Sequence, residues 1–201
     1  MTRELDLAGA LDALKRGGVV AVPTDTVYGI AASLAQPGAV RALFSLKRRP
    51  GHIALPVLVD SVEQIEMLGV TWPSRARRLS DAFWPGALTI IVGGVGEELA
   101  ALVGSSAATA GFRVPDDDVL RELIAGAGPL VVTSANEHGQ PPCSNAAQVL
   151  EAFAGRTQLE GLLDDGERSG VVSTVIDLAR STWAVVREGA ISEALLDAAL
   201  A

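Results

Sequence analysis

The sequence predicts one α/β domain with a mixed sheet, on two observations. The chain has 201 residues, 49% of them hydrophobic and only 4% aromatic. That is enough to bury one core, and the Ala/Val/Leu/Gly-rich composition suits strands covered by helices. Along the chain, segments of helical period alternate with short apolar runs punctuated by Gly and Pro.

Element by element, Leu5, Ala8, Leu11 and Leu14 share a helical face and Gly17-Gly18 supply a stop. Residues 19–22 read as a short buried strand, which Pro23 ends because proline has no ladder donor. A loop over 24–29 therefore leaves the carboxyl end of a strand. A helix over 38–46, a strand over 55–59 and a helix from Val62 follow, the last with a Ser61-x-x-Gln64 capping box. Next come a helix over 74–83 and strands over 88–92, 109–114 and 130–133, with a helix over 117–125 between the last two. Asn145 is placed to cap a helix whose Ala146, Val149, Leu150 and Phe153 share one face; strands over 174–178 and 184–186 precede a C-terminal helix. No repeat or linker splits the chain, so residues 1–201 are expected to form a single domain.

Composition excludes several classes. A formal charge of −8 and a pI near 4.7 work against a large phosphate-tracking surface, so no strong direct grip on nucleic acid is expected. A nucleotide is still allowed, because a few arginines converging in a cleft can hold a triphosphate on an acidic protein. No apolar run reaches the roughly 18–20 residues of a spanning helix, and Arg3, Glu4, Asp6 and Asp12 do not read as a cleaved leader. Cys143 is the lone cysteine, and neither it nor His52 and His138 offers zinc spacing. A reducing, cytoplasmic location without membrane or structural metal is the expectation.

Three polar segments follow predicted strands or helices, where open α/β sheets tend to bind ligands. Pro23-Thr24-Asp25-Thr26-Val27-Tyr28-Gly29 puts hydroxyls and a carboxylate on a loop, suited either to a small polar substrate or to a turn bonding its own backbone. Lys47-Arg48-Arg49-Pro50 is either a solvated helix end or, in an extended stretch, a point charge and a planar fork aimed together at phosphate or carboxylate oxygens. Thr133-Ser134-Ala135-Asn136 offers a hydroxyl and an amide on alternate residues, or an ordinary polar turn. Gly93-Gly94-Val95-Gly96 lacks the Gly-Lys-Ser/Thr ending of a P-loop and reads as a turn. Asp116-Asp117-Asp118 suits a helix N-terminus as well as a divalent cation, His138 reads as a loop histidine, and Trp72, Trp84 and Trp183 are too scattered for a base-stacking platform.

Taken in order, these segments resemble the threonylcarbamoyl-AMP synthase family, built on the YrdC-like domain. The opening loop, Lys47-Arg48-Arg49-Pro50 and Ser134-Ala135-Asn136 are joined by Ser173-Thr174-Val175-Ile176-Asp177 and Arg187-Glu188-Gly189-Ala190-Ile191, which are similar to the family's later signatures. The resemblance implies an open, twisted sheet (a YrdC-like, RibB-like fold) around a deep, positively lined cavity. It also implies synthesis of threonylcarbamoyl-AMP and pyrophosphate from L-threonine, bicarbonate and ATP with Mg2+, and passage of the product to a tRNA threonylcarbamoyl transferase complex. By matching position, Thr26, Arg113, Ser134 and Ser173 would bind threonine. Lys47, Arg49, Thr109, Asn136, Ser144 and Arg187 would face ATP, with Lys47 and Arg49 as the catalytic pair. Replacing either of that pair by Ala is expected to reduce activity greatly and leave the fold intact, because it removes charge from a cavity rather than packing from a core. The sequence departs from the family pattern at Ile53 and Ala54, at Leu58 where some relatives place a histidine, and at Asp117-Asp118 in place of a His-Pro pair. A non-synthase paralogue that binds double-stranded RNA or tRNA is the alternative.

Overall fold

The computed structural model describes residues 3–47, 54–137, 139–168 and 170–201. In chain order these form β1 (Arg3–Leu5), α1 (Leu7–Lys15), β2 (Val19–Val22), β3 (Gly29–Ser33), α2 (Pro37–Leu46), β4 (Val57–Leu58), α3 (Val62–Met67), α4 (Ser74–Phe83) and β5 (Leu88–Gly93). They continue with α5 (Glu97–Leu102), β6 (Thr109–Arg113), α6 (Asp118–Ala127), β7 (Leu130–Ser134), α7 (Ala146–Ala152), β8 (Leu159–Leu163), β9 (Thr174–Asp177), β10 (Ala184–Arg187) and α8 (Glu193–Leu200).

All ten strands join one mixed sheet, in the order β1-β8-β2-β3-β7-β4-β6-β5-β9-β10. Pairs β1/β8, β2/β8, β4/β6 and β5/β9 are parallel, and the others antiparallel. Local signals act as expected where they are chemically specific. The side chains of Asp6, Ser61, Asp117 and Asn145 each accept a backbone N–H at a helix start. Gln64 completes the box through the N–H of Asp60 rather than that of Ser61.

Four elements escape the sequence pattern. Leu5 belongs to β1 rather than to the first helix, and β3 begins at Gly29, where a loop was expected to end. The six-residue α5 and the strand β8 are also new; Glu160 and Gly161 break the apolar run of β8. Gly161 is there for space, since a Cβ would lie 2.3 Å from Leu5 Cδ1. The expected strand over 55–59 shrinks to Val57–Leu58, wedged between β7 and β6.

Period-two alternation divides the core between the two sheet faces. On one face Ala21, Ile30, Val57, Ile90, Phe112 and Val131 meet α2, α3, α4, α5, α7 and α8. On the other, Val20, Val22, Ala31, Leu130 and Val132 meet only α1 and α6. Among the described residues, no helix packs on the second face of β6, β5 and the start of β9.

A ten-residue strap, 164–173, joins β8 to β9 past six intervening strands. A flat sheet would need about 34 Å for that crossing, and ten residues reach at most roughly 33–36 Å fully extended. Gly166 and Gly170 take positive φ values of 80° and 78°, which use up length, so the sheet closes this connection only by twisting its ends together. The pairings run β8 and β9 in the same direction. On the way, Asp164 Oδ1 and Gly166 O each lie 2.8 Å from the Tyr28 hydroxyl and Gly170 N–H donates to Thr26 O, so the strap runs beside the β2–β3 loop before it enters β9.

Candidate functional site

Register places the polar residues of the bare half. Arg113 lies opposite Leu58, and Phe112 opposite Ile90, so Arg113 and Thr89 point to the face away from the main core. Leu88 pairs with Thr174, which brings Ser173 beside Thr89; their hydroxyls lie 3.1 Å apart. A cavity of about 90 Å3 opens here, walled by Thr24, Thr26, Thr89, Arg113, Ser134, Ser173 and Arg187, with Pro56, Leu58, Val132 and Val172 as its apolar side. A larger groove of about 830 Å3 lies on the helix-covered side between α2 and α5; among the described residues its only charges are Arg41 and Glu98, and it contains none of the motif residues.

The β2–β3 loop supplies one corner. The Thr24 hydroxyl donates to Val27 O (2.7 Å) and accepts from the N–H groups of Thr26 and Val27, which is the self-bonding turn. Its proton is thus committed, so the Thr26 hydroxyl, 2.9 Å away, donates to it and turns its lone pairs to Arg113. Arg113 Nε donates to Gly86 O (2.9 Å), one terminal nitrogen to Thr26 (3.3 Å) and the other to Asp25 Oδ1 (2.6 Å). With side-chain exposures of 7% and 12%, Arg113 and Asp25 form a buried, oriented pair. Among the described residues this uses three of the five guanidinium N–H donors, leaving one on each terminal nitrogen for a substrate carboxylate.

Lys47 forms a second corner. It caps α2 in αR geometry (φ −83°, ψ −5°), not in an extended stretch, and its side chain turns inward until the residue is only 2% exposed. The ammonium donates to Ser134 O (2.7 Å), Ser134 Oγ (3.2 Å) and Asn136 Oδ1 (2.8 Å), while Ser134 Oγ donates to Asn136 Oδ1 (2.7 Å). Removing Lys47 therefore strands buried acceptors as well as deleting charge, so its replacement costs more than a charge facing a cavity would. Arg49, Pro50, Ile53 and His138 lie outside the described residues. Cys143 is buried nearby; burial pushes its thiol up, as suits an inert core cysteine.

Arg187 forms the third corner, donating from Nε and a terminal nitrogen to Ser173 O and from the latter also to Ser173 Oγ. Gly189 explains the glycine of that motif, because a Cβ there would lie 2.4–2.5 Å from the backbone of residues 172–174. The structure thus gathers Thr26, Arg113, Ser134, Ser173 and Arg187 around one cavity, with Lys47 and Asn136 bonded to Ser134 behind its wall. Thr109 and Ser144 line no part of it. Thr109 starts β6 and bonds Ser105 (2.8 Å), and Ser144 bonds Gln148.

Sequence reasoning missed the place of Thr89 in the cavity wall. The one signal for Thr89 is a hydroxyl at an outward-alternating position of an otherwise apolar strand. Trp72 and Trp84 stack with centroids 5.3 Å apart, as core packing rather than a base platform.

An open mixed sheet whose cavity carries a buried arginine–hydroxyl corner, with a buried lysine bonded to one wall, defines the class: a mixed α/β domain with a small, cation-lined polar cavity. The chain belongs to the Sua5/YciO/YrdC family, whose model, described as "Telomere recombination", matches residues 12–189. A Mycobacterium leprae relative is 40% identical over 195 residues, covering 96% of this chain and 86% of its own. The threonylcarbamoyl-AMP synthase of Chromohalobacter salexigens is 36% identical over 176 residues, 86% of this chain and 92% of the relative. Among solved structures, Pyrococcus abyssi Sua5 complexed with L-threonine matches with a TM-score of 0.88 at 32% identity, over 99% of this chain; the chain spans about three fifths (59%) of that protein.

Proposed function

We propose that the chain is an L-threonylcarbamoyladenylate synthase, a nucleotidyltransferase acting on L-threonine, bicarbonate and Mg-ATP. The observation that carries this reading is that Ser134, which lines one cavity with Arg113 and Thr26, is bonded from behind by Lys47 and Asn136, in a chain whose fold matches a threonine-bound Sua5. Arg113 takes the threonine carboxylate with its two remaining terminal N–H donors, and Thr26, Ser134 and Ser173 supply hydroxyls around it. The threonine amine, once deprotonated, adds to carbon dioxide derived from bicarbonate. A carbamate oxygen then attacks the α-phosphorus of ATP, forming the P–O bond of the mixed anhydride as the bond to pyrophosphate breaks.

This chemistry asks for positioning and positive charge on the phosphate oxygens. Lys47, Arg49 and Arg187 supply the charge, with magnesium arriving as part of Mg-ATP, and Thr109, Asn136 and Ser144 are assigned to the nucleotide. The cavity of about 90 Å3 suits the amino acid, and ATP is assigned to its open side. The product would pass to a tRNA threonylcarbamoyl transferase complex in the cytoplasm. A charge of −8 fits a small-molecule ligand better than tRNA, and no helix among the described residues is long and apolar enough to cross a membrane. Pyrophosphate release from Mg-ATP and bicarbonate, with and without L-threonine, tests the reading. Release that depends on both threonine and bicarbonate is expected; a folded protein giving none would move the assignment to the RNA-binding paralogue.

A further inference from the structure

Beyond that reading, and resting on it for the identity of the substrate, we infer that Arg168 and Asp117 are positioning residues: their ion pair latches the strap between β8 and β9 to the N-cap of α6 and so holds Thr26, Val172 and Ser173 in place around Arg113.

Arg168 occupies the middle of the strap yet has a side-chain exposure of only 14%. One terminal nitrogen donates to Asp117 Oδ2 (3.2 Å) and Asp165 Oδ2 (2.8 Å), the other to Asp165 O (2.7 Å), and the guanidinium carbon lies 6.0 Å from the centre of the Tyr28 ring. It thereby ties the strap to itself, to the N-cap of α6 and to the β2–β3 loop. Its Nε is buried without a partner among the described residues. A surface arginine would rotate to hydrate that donor, so the surrounding partners dictate its pose.

The strap's backbone transmits the grip. Arg168 N–H donates to Ser144 O (2.8 Å) and Gly170 N–H to Thr26 O (3.1 Å), and two and three residues further on Val172 and Ser173 line the cavity. The carboxylates provide the force. Burial pushes the Asp117 carboxyl up, and the neighbouring Asp165 and Asp25 push the same way while Arg168 pulls it down. Asp25 is the partner of Arg113. Without Arg168, Asp117, Asp165 and Asp25 repel one another beside the substrate arginine, and the strap carrying Asp165 is the element free to move away.

The test compares Arg168→Ala, Arg168→Lys, Asp117→Asn and the Asp117→Asn/Arg168→Ala double variant. Pyrophosphate release is measured against threonine and against ATP, and amide exchange is followed over 164–172. In Arg168→Ala the threonine KM is expected to rise about tenfold while the ATP KM and kcat stay within about twofold. Asp117→Asn keeps the helix cap and gives a smaller rise, the double variant is no worse than Arg168→Ala because both remove one contact, and Lys restores part of the loss. Exchange at Gly170 N–H is expected to quicken in both single-site losses. If Arg168→Ala does not fold, Asp117→Asn alone decides by the same readouts. Unchanged strap exchange, a parallel rise in both KM values, or additive effects overturn the latch. Should the unmutated protein show no threonine-dependent release, the synthase reading falls, and strap exchange still decides the latch.

Discussion

The two halves of the sheet face beneath α1 and α6 are equally hidden from solvent by opposite means. In the covered half Val20, Val22, Ala31 and Leu130 are fully buried against the two helices. In the bare half Thr89, Arg113 and Ser173 are only 4–5% exposed, close to the bordering Leu58 (3%) and Val132 (4%). There the burial rests on a web of hydrogen bonds, because a buried polar group persists only with partners. The contrast separates burial from function: the alternation along each strand is the same, and the helix that does or does not land on it decides whether a core or a site results.

The sharpest way to break this comparison is to replace the charged member of the bare half. Arg113→Met should abolish threonine-dependent pyrophosphate release and, by leaving Asp25 buried without its partner, cost about 3–5 kcal/mol in chemical unfolding. Adding Asp25→Asn should recover part of the stability and none of the activity. Phe112→Ala, one residue away on the other face, should cost a similar ~3–5 kcal/mol with the threonine KM of the folded enzyme unmoved; a KM shift as large as that of a site variant would show that the two faces are not independent.

Lys47→Met ranks next. Activity should vanish, and the stranded acceptors at Ser134 and Asn136 should lower stability by about 1–3 kcal/mol in thermal unfolding. Gly189→Ala forces a Cβ against the backbone of 172–174. We expect a loss of about 1–3 kcal/mol and a raised threonine KM, since Ser173 is displaced.

The smallest effect is alkaline. Burial first, and then the hydrogen bond to Asp164, push the Tyr28 phenol from 10.0 up to about 12. A phenol held protonated in the folded state contributes stability that is complete below pH 10 and lost as pH rises towards about 12. Tyr28→Phe should cost about 1 kcal/mol at neutral pH and flatten that alkaline limb of a pH–stability curve.

The caps at Ser61, Asp117 and Asn145 were legible because each depends on a side chain and a backbone N–H three residues away. The strand β8 was not. Its Gly161 makes sense only beside Leu5 of β1, which is distant in sequence. Within the site, the motifs named Thr26, Lys47, Arg113, Ser134, Ser173 and Arg187, but not the states of those residues. Lys47 read as a solvated helix end or an extended cation and is a core residue instead. Asp25 read as a carboxylate for a small polar substrate or for a turn bonding its own backbone, and is taken by Arg113 instead. Arg168 carried no signal, since a lone arginine in a loop means nothing until Asp117, Asp165 and Tyr28 are folded around it.

What the sequence determined by itself is therefore the local and the cumulative: the α/β class from alternating periods, the helix starts from capping chemistry, and the family from ordered motifs spread over nearly the whole chain. Tertiary structure alone decided the order of the ten strands, which half of a face stays bare, and which charges are partners. These depend on contacts between residues far apart in the chain, such as Arg113 with Asp25 and Lys47 with Asn136. Their geometry is fixed by where the helices and the strap pack rather than by any spacing along the sequence.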